Sequence, residues 1–354
     1  MNLAIRPASP SEDRDEMLGL FERNFGDKFE QRFDWYHLLN PEGRCWTWFV
    51  YERDSKTVLG TTSLYPRSMY VDGNLKTVGQ VMFFAVDAQH RSLGPAVMLQ
   101  RATFEPVNRG ELAFCYDCPP HDEGMSTFAR LGMRPSCEMT RYVLPLRSDE
   151  YLQKRLGKAA WTRPLVSGAN LLLGMRRSNH KLPGLEISRF DGAFGDEFSR
   201  LDKLVSSSGV IRACRSAEVL NWLYRQFPLM PKHLPNGDLE AIHVLVARRC
   251  GEILAFAVFL TQFDNFISIM DLFGTELESV GRPLIEAIVE IGLRDKMQSV
   301  YAYCAKDGQL SRILGSAGLR PRERAARVVA YANGFNVEHL NGLRWAFSQT
   351  ELRG

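Results

Sequence analysis

Four consecutive residues, Gly132-Met133-Arg134-Pro135, return 186 positions later as Gly318-Leu319-Arg320-Pro321. Trp35 and Pro41 return in the same way as Trp222 and Pro228, at an offset of 187. Rare residues repeating at a nearly fixed offset describe a chain built twice over from one unit. A length of 354 residues suits two domains of ordinary size. The reading is a first domain over 1–145, a linker over 146–184 and a second domain over 185–354. In each unit strand-like runs precede a helix, so the expected class is α/β with a mixed sheet.

The first unit centres on residues 82–105. Positions 82–86 are a short apolar run bounded by Asp87, as in a strand covered on both faces. The turn Arg91-Ser92-Leu93-Gly94-Pro95-Ala96 follows, and then Val97, Met98, Leu99 and Ala102 recur at helical spacing. Gly94 permits close backbone approach, Pro95 suits a first helical turn, and Ala96 keeps that turn slim. A helix N-terminus made this way offers free amide donors to an anion, with Arg91 as a bidentate phosphate partner. Upstream, 3–8 reads as a first strand, a helix follows Ser11-Glu12-Asp13, and further strands are expected over 47–51, 59–65 and 68–71. Downstream, 112–116 is a strand and 125–131 a helix.

R-x-x-G-x-A after a strand, followed by Phe128-Ala129-Arg130-Leu131-Gly132-Met133, resembles the acetyl-CoA loop and terminal helix of the GCN5-related N-acetyltransferases, as does the opening Ile5-Arg6-Pro7-Ala8. The resemblance implies two tandem domains of that fold. It implies acetyl-CoA as acyl donor, held by Ala85, Val86, Arg91, Ser92, Leu93, Gly94, Pro95 and Ala96, with a backbone amide near Ala85 or Val86 polarising the thioester. The family's general acid is a Tyr at the position of Phe128, which has no proton to give, and no carboxylate lies within 82–86. Tyr116, Asp117 and His121 are therefore the expected catalytic residues. Trp35, Tyr36, Trp46 and Trp48 are candidates for an acceptor groove.

Carried into the second unit, the offset of 187 places Gly94 on Gly281, with a strand over 266–273 and a helix over 283–293. Arg91 falls on Glu278 and Ala96 on Pro283. A carboxylate there repels a pyrophosphate, so the second domain reads as degenerate, without a cofactor, its helix preceded by a long turn over 275–280.

A net charge of +3 is too mild to expect nucleic acid. The seven cysteines are scattered, and only Cys115 and Cys118 share a C-x-x-C spacing, which argues against a metal and for reduced thiols in a cytoplasm. No leader and no apolar run long enough to span a bilayer is read. Residues 147–181 hold eight basic residues against Asp149 and Glu150, a pattern fitting a linker helix or contact with a membrane surface. The expected activity is acetyl transfer to an amine or hydroxyl of a small acceptor, a sugar of polysaccharide or envelope assembly among them. Two other readings stay open: an aminoacyl-tRNA-dependent transferase of the peptidoglycan-bridge type, and a non-catalytic module binding acyl-CoA or a partner.

Overall fold

The computed structural model describes residues 2–26, 29–91, 93–119, 122–147, 182–229, 239–262, 264–333 and 337–352. Strand β1 (Leu3–Ala8) pairs antiparallel with β2 (Trp46–Glu52), and between them in sequence lie helices α1 (Arg14–Phe25) and α2 (Glu30–His37). Next come β3 (Val58–Val71) and β4 (Asn74–Val86), folded into a long hairpin. Its turn is Asp72-Gly73, with φ of 47° and 81°, the primed geometry that matches strand twist. The chain continues through α3 (Leu93–Ala102), α4 (Glu105–Asn108), β5 (Cys115–Asp117), α5 (Asp122–Arg130) and β6 (Pro135–Pro145).

The second half repeats this order. It runs β7 (Leu185–Arg189), α6 (Asp196–Leu204), β8 (Val210–Ala213), α7 (Ala217–Leu220), β9 (Ala241–Arg249), β10 (Glu252–Thr261) and β11 (Phe266–Gly274). It closes with α8 (Leu277–Arg294), β12 (Ser299–Ala305), α9 (Gln309–Ser316), β13 (Arg320–Tyr331), α10 (Val337–Gly342) and β14 (Arg344–Trp345). One mixed sheet holds both halves, in the order β1-β2-β3-β4-β5-β13-β6-β12-β11-β10-β9-β7, with β8 joining β3 to β14. The halves trade their last strands. β6 pairs with β12 of the second half, β13 pairs with β5 of the first, and the two traded strands pair with each other.

The repeated motifs gain physical reasons. Gly132 and Gly318 take φ of 73° and 93°, and Met133 and Leu319 return their N–H groups to Phe128 O and Leu314 O at 3.0 Å each. These are helix C-caps that only an αL residue closes well, each releasing the chain into one of the traded strands. Trp35 and Trp222 stack with ring centroids 4.4 Å apart, and each indole N–H donates to the other's carbonyl, at 2.9 and 3.2 Å. The two tryptophans that recur at 187 thus meet each other where the halves join.

Each half also buries charges within itself. Arg67 on β3 pairs with Glu42 at 3.0 Å, and Arg215 pairs with Asp271 on β11 and with Glu351, both at 2.9 Å. All five side chains are nearly sealed from solvent. Gln80 Nε2 donates to the Glu351 carbonyl at 3.0 Å, so the end of the chain ties β4 to the second half.

Two expected boundaries are corrected. The strands read over 59–65 and 68–71 are a single strand. Pro66 lies where pairing with β2 has ended and pairing with β8 has not begun, so its missing N–H costs no ladder bond. The turn read over 275–280 is mostly helix, since α8 starts at Leu277 and carries Pro283 inside it. The basic segment lies outside the described residues except for Arg147. Among the described residues, no helix is long and apolar enough to cross a membrane.

Candidate functional site

Strands β4 and β5 pair in parallel only at Gly79↔Cys115 and Gln80↔Tyr116, yet β4 runs on to Val86. From residue 81 onward that edge of β4 has no strand partner. A bulge sits inside the open stretch, where the β3 register slips between Thr61 and Ser63 and Phe83 takes a φ of 53°. Left-handed backbone is rare for a bulky residue and has to be held by packing. Gly60 helps, because a Cβ there would meet the Ala85 carbonyl at 2.5 Å.

Asp87 N–H donates to Leu59 O at 2.8 Å, so Asp87 turns its polar groups toward β3. Alternation then turns those of Val86 toward the open edge and those of Ala85 back toward β3. Arg91 confirms the direction, donating from Nε to Val86 O at 3.4 Å. Its side chain is exposed, and among the described residues no ion pair takes up its charge. At the start of α3, Pro95 is buried, and a Cβ on Gly94 would meet nothing within 4 Å. Ala96 packs, half-buried, against the core beneath α3. Ser92 and the side chain of Leu93 lie outside the described residues. Asp87 is engaged elsewhere, by Arg23 at 3.0 Å and Asn24 at 2.9 Å, which fastens α1 to this loop.

The candidate catalytic residues separate by strand alternation. Tyr116 is 1% exposed on the face that packs against Trp345 and Phe347, and its hydroxyl has no hydrogen-bond partner among the described residues. Burial holds that phenol well above its ordinary pKa, with Arg67 opposing. Asp117, one residue on, faces the other way, level with Val329, against which Met125 and Phe128 of α5 pack. Burial beside those apolar groups pushes its carboxyl up to about 7, with only the Cys118 backbone N–H pulling down. It is also the first β5 residue past the last β4 pair. His121 lies outside the described residues, and Phe128 is a core residue, 3% exposed.

The expected aromatic groove is not one. Trp35, Tyr36 and Trp48 are 4, 7 and 5% exposed and belong to the core, with Trp46 half-buried beside it. The aromatic surface near the bulge comes instead from Phe25 and Phe29 around the α1–α2 turn. Their spacing carried a signal, since Phe21, Phe25 and Phe29 recur every four residues.

The second half keeps the geometry and fills it. Pairing of β11 with β12 stops at Ile269↔Ala302, and the β10–β11 register slips opposite Met270, 187 residues after Phe83. Here the gap is occupied by the chain itself: Ala305 N–H donates to Phe347 O at 3.0 Å, and Thr350 Oγ1 donates to Met270 O at 3.1 Å. The helix that follows begins early. Glu276 and Glu278 at its start pair with Arg249 at 2.9 Å and Arg312 at 3.3 Å, and a Cβ on Gly281 would strike Ile313 at 2.8 Å. Among the described residues no group of three or more His, Cys, Asp or Glu could hold a metal ion.

Residues 4–120 match the family described as the acetyltransferase (GNAT) domain. No curated protein matches the sequence. Solved structures do match in fold. A conserved Enterococcus faecalis protein titled a probable N-acyltransferase is 11% identical, with a TM-score of 0.63 over 95% of this chain and 74% of that one. A GCN5-related N-acetyltransferase from Anabaena variabilis is 12% identical, again at 0.63, over 96% and 74%. The Saccharomyces cerevisiae N-myristoyltransferase, solved with bound myristoyl-CoA, is 13% identical at 0.57, over 93% and 82%. The mixed α/β sheet described above is therefore the fold of known acyltransferase structures.

Proposed function

We propose that this protein transfers an acyl group from acyl-CoA, acetyl-CoA by preference, to an amine or hydroxyl of a small acceptor, and that only its first half holds the donor. The observation that carries this reading is the open edge of β4 leading from the Phe83 bulge to the exposed Arg91 at the mouth of α3. Arg91 and the first amides of α3 suit a pyrophosphate, and Val86 offers backbone groups along the edge. The donor supplies an activated thioester when bound. The chain supplies position, a backbone dipole at the bulge, and a carboxyl to move a proton. Asp117, with its pKa near neutrality, takes the proton from the acceptor. The second half, its equivalent gap filled by residues 346–350, acts as a wall and a brace. The seven cysteines are all free, in keeping with a cytoplasmic setting.

Calorimetry with acetyl-CoA tests the reading. Arg91→Glu, which copies the residue at the equivalent place in the second half, should weaken binding roughly tenfold to a thousandfold, about 1.5–4 kcal/mol. Equal affinity in the two proteins would remove the donor site from this loop. Thiol release with a panel of amines, amino sugars included, then reports transfer.

A further inference from the structure

The bulge residue itself points to a chemical selection that the donor site would impose, an inference that rests on the function proposed above. Bulging breaks the alternation of β4, so that Met82 and Phe83 both join the cluster on the α1–α2 face of the sheet. The Phe83 ring lies 4.8 Å from Phe21, 4.8 Å from Tyr36 and 5.2 Å from Phe29, centroid to centroid. Behind it stand His37 at 5.7 Å and Tyr65 at 6.0 Å, and Phe25 covers it from the solvent side at 6.2 Å. Phe83 is 6% exposed, so its ring fills a place within this aromatic cluster on the α1–α2 face of β4.

A thioester lying along the edge of β4 reaches the bulge with its carbonyl, and whatever follows the carbonyl next meets Phe83. We propose that Phe83 sets the length of the acyl group, admitting an acetyl group and excluding longer chains from a space lined by Phe21, Phe29, Tyr36, His37 and Tyr65. The lining suits hydrocarbon. Phe21 and Phe29 are apolar, and His37 is neutral, its pKa pushed down to about 3 by burial and by Arg14. Such a space stays dry when opened and takes an apolar guest. The left-handed φ of 53° adds a design advantage for the test, since glycine adopts it without strain. Removing the ring as Phe83→Gly therefore opens the space while relieving the backbone.

The experiment measures binding of acetyl-, butyryl- and hexanoyl-CoA by calorimetry to the full chain and to Phe83→Gly, with Phe83→Leu as the milder variant. The intact protein should bind acetyl-CoA at least tenfold more tightly than hexanoyl-CoA. Each methylene newly buried strengthens binding by roughly fourfold, so the glycine variant should improve on hexanoyl-CoA by tenfold or more, and the leucine variant by a few-fold. If the glycine variant fails to fold, the leucine variant decides by the same ranking. Binding of all three donors with a ranking that neither variant changes overturns the gate and leaves the donor site standing. Binding of none of them to the intact protein overturns the donor site and the gate together.

Discussion

Replacing Asp117 by Asn isolates a half-buried carboxyl that, among the described residues, has no cation beside it at the mouth of the open edge. Burial raises its pKa from 3.8 to about 7, with the Cys118 amide opposing. Between those values the native protein keeps a proton that the unfolded chain has given up. Native stability from this group is therefore present in full below pH 4 and is lost as pH rises through 7. At about 1.36 kcal/mol per unit, the loss between pH 4 and 8 is about 4 kcal/mol at most. The residue is half-buried, and solvent screening brings the figure to about 2 kcal/mol. Asn carries no such term. Urea unfolding of both proteins at several pH values should show the variant gaining on the wild type by that amount as pH rises. Other groups, His37 included, act equally in both and cancel. A difference that stays flat within about 0.5 kcal/mol would refute the assignment of a proton to Asp117. The same substitution should slow transfer roughly 10²- to 10⁴-fold and abolish the limb of the pH–rate profile near 7.

Two more outcomes follow from buried groups in the core. His37, held near 3 against an ordinary 6.5, makes the native state reject a proton that the unfolded chain accepts, so its contribution is present above pH 6.5 and lost toward pH 3. His37→Phe should flatten that acid limb, and unfolding curves of unchanged shape would contradict the burial argument. Arg215→Met should cost roughly 3–5 kcal/mol by leaving Asp271 and Glu351 buried without their shared cation, and a loss below about 1 kcal/mol in urea would show the network to be dispensable.

The recurring residues were legible in the sequence because they have jobs tied to backbone geometry. A glycine closing a helix and a tryptophan meeting its own counterpart tolerate few substitutes. The sequence also exposed the start of α3, where Gly94, Pro95 and Ala96 each answer a local requirement. It did not expose which strands would pair across the halves. The trade of β6 and β13 is a long-range choice, and nothing in either strand's own alternation names its partner. The Asp72-Gly73 hairpin is legible in the sequence, since that dipeptide is the strongest short-range signal for such a turn. Tyr116 and Asp117 could not be ranked from sequence, since neighbours on a strand look alike until one face is known to pack against Trp345 and Phe347 and the other against α5.

The contrast between the halves turns on the accounting of backbone hydrogen bonds. A strand edge facing the protein interior must find donors and acceptors somewhere, because an unmet buried amide costs about as much as a lost hydrogen bond. Both halves create such an edge in the same way, with a bulge on one strand (β4, β11) and a following parallel strand (β5, β12) that parts from it after a few residues. In the second half residues 346–350 satisfy the edge from within, and two ion pairs seal the helix start beside it. In the first half no described segment performs that task, and the helix start presents an exposed guanidinium in place of a carboxylate. Among the described residues, then, one half closes this edge on itself and the other leaves it open. An open strand edge beside an exposed guanidinium suits an extended, amide-bearing and anionic ligand, the chemistry of the proposed donor.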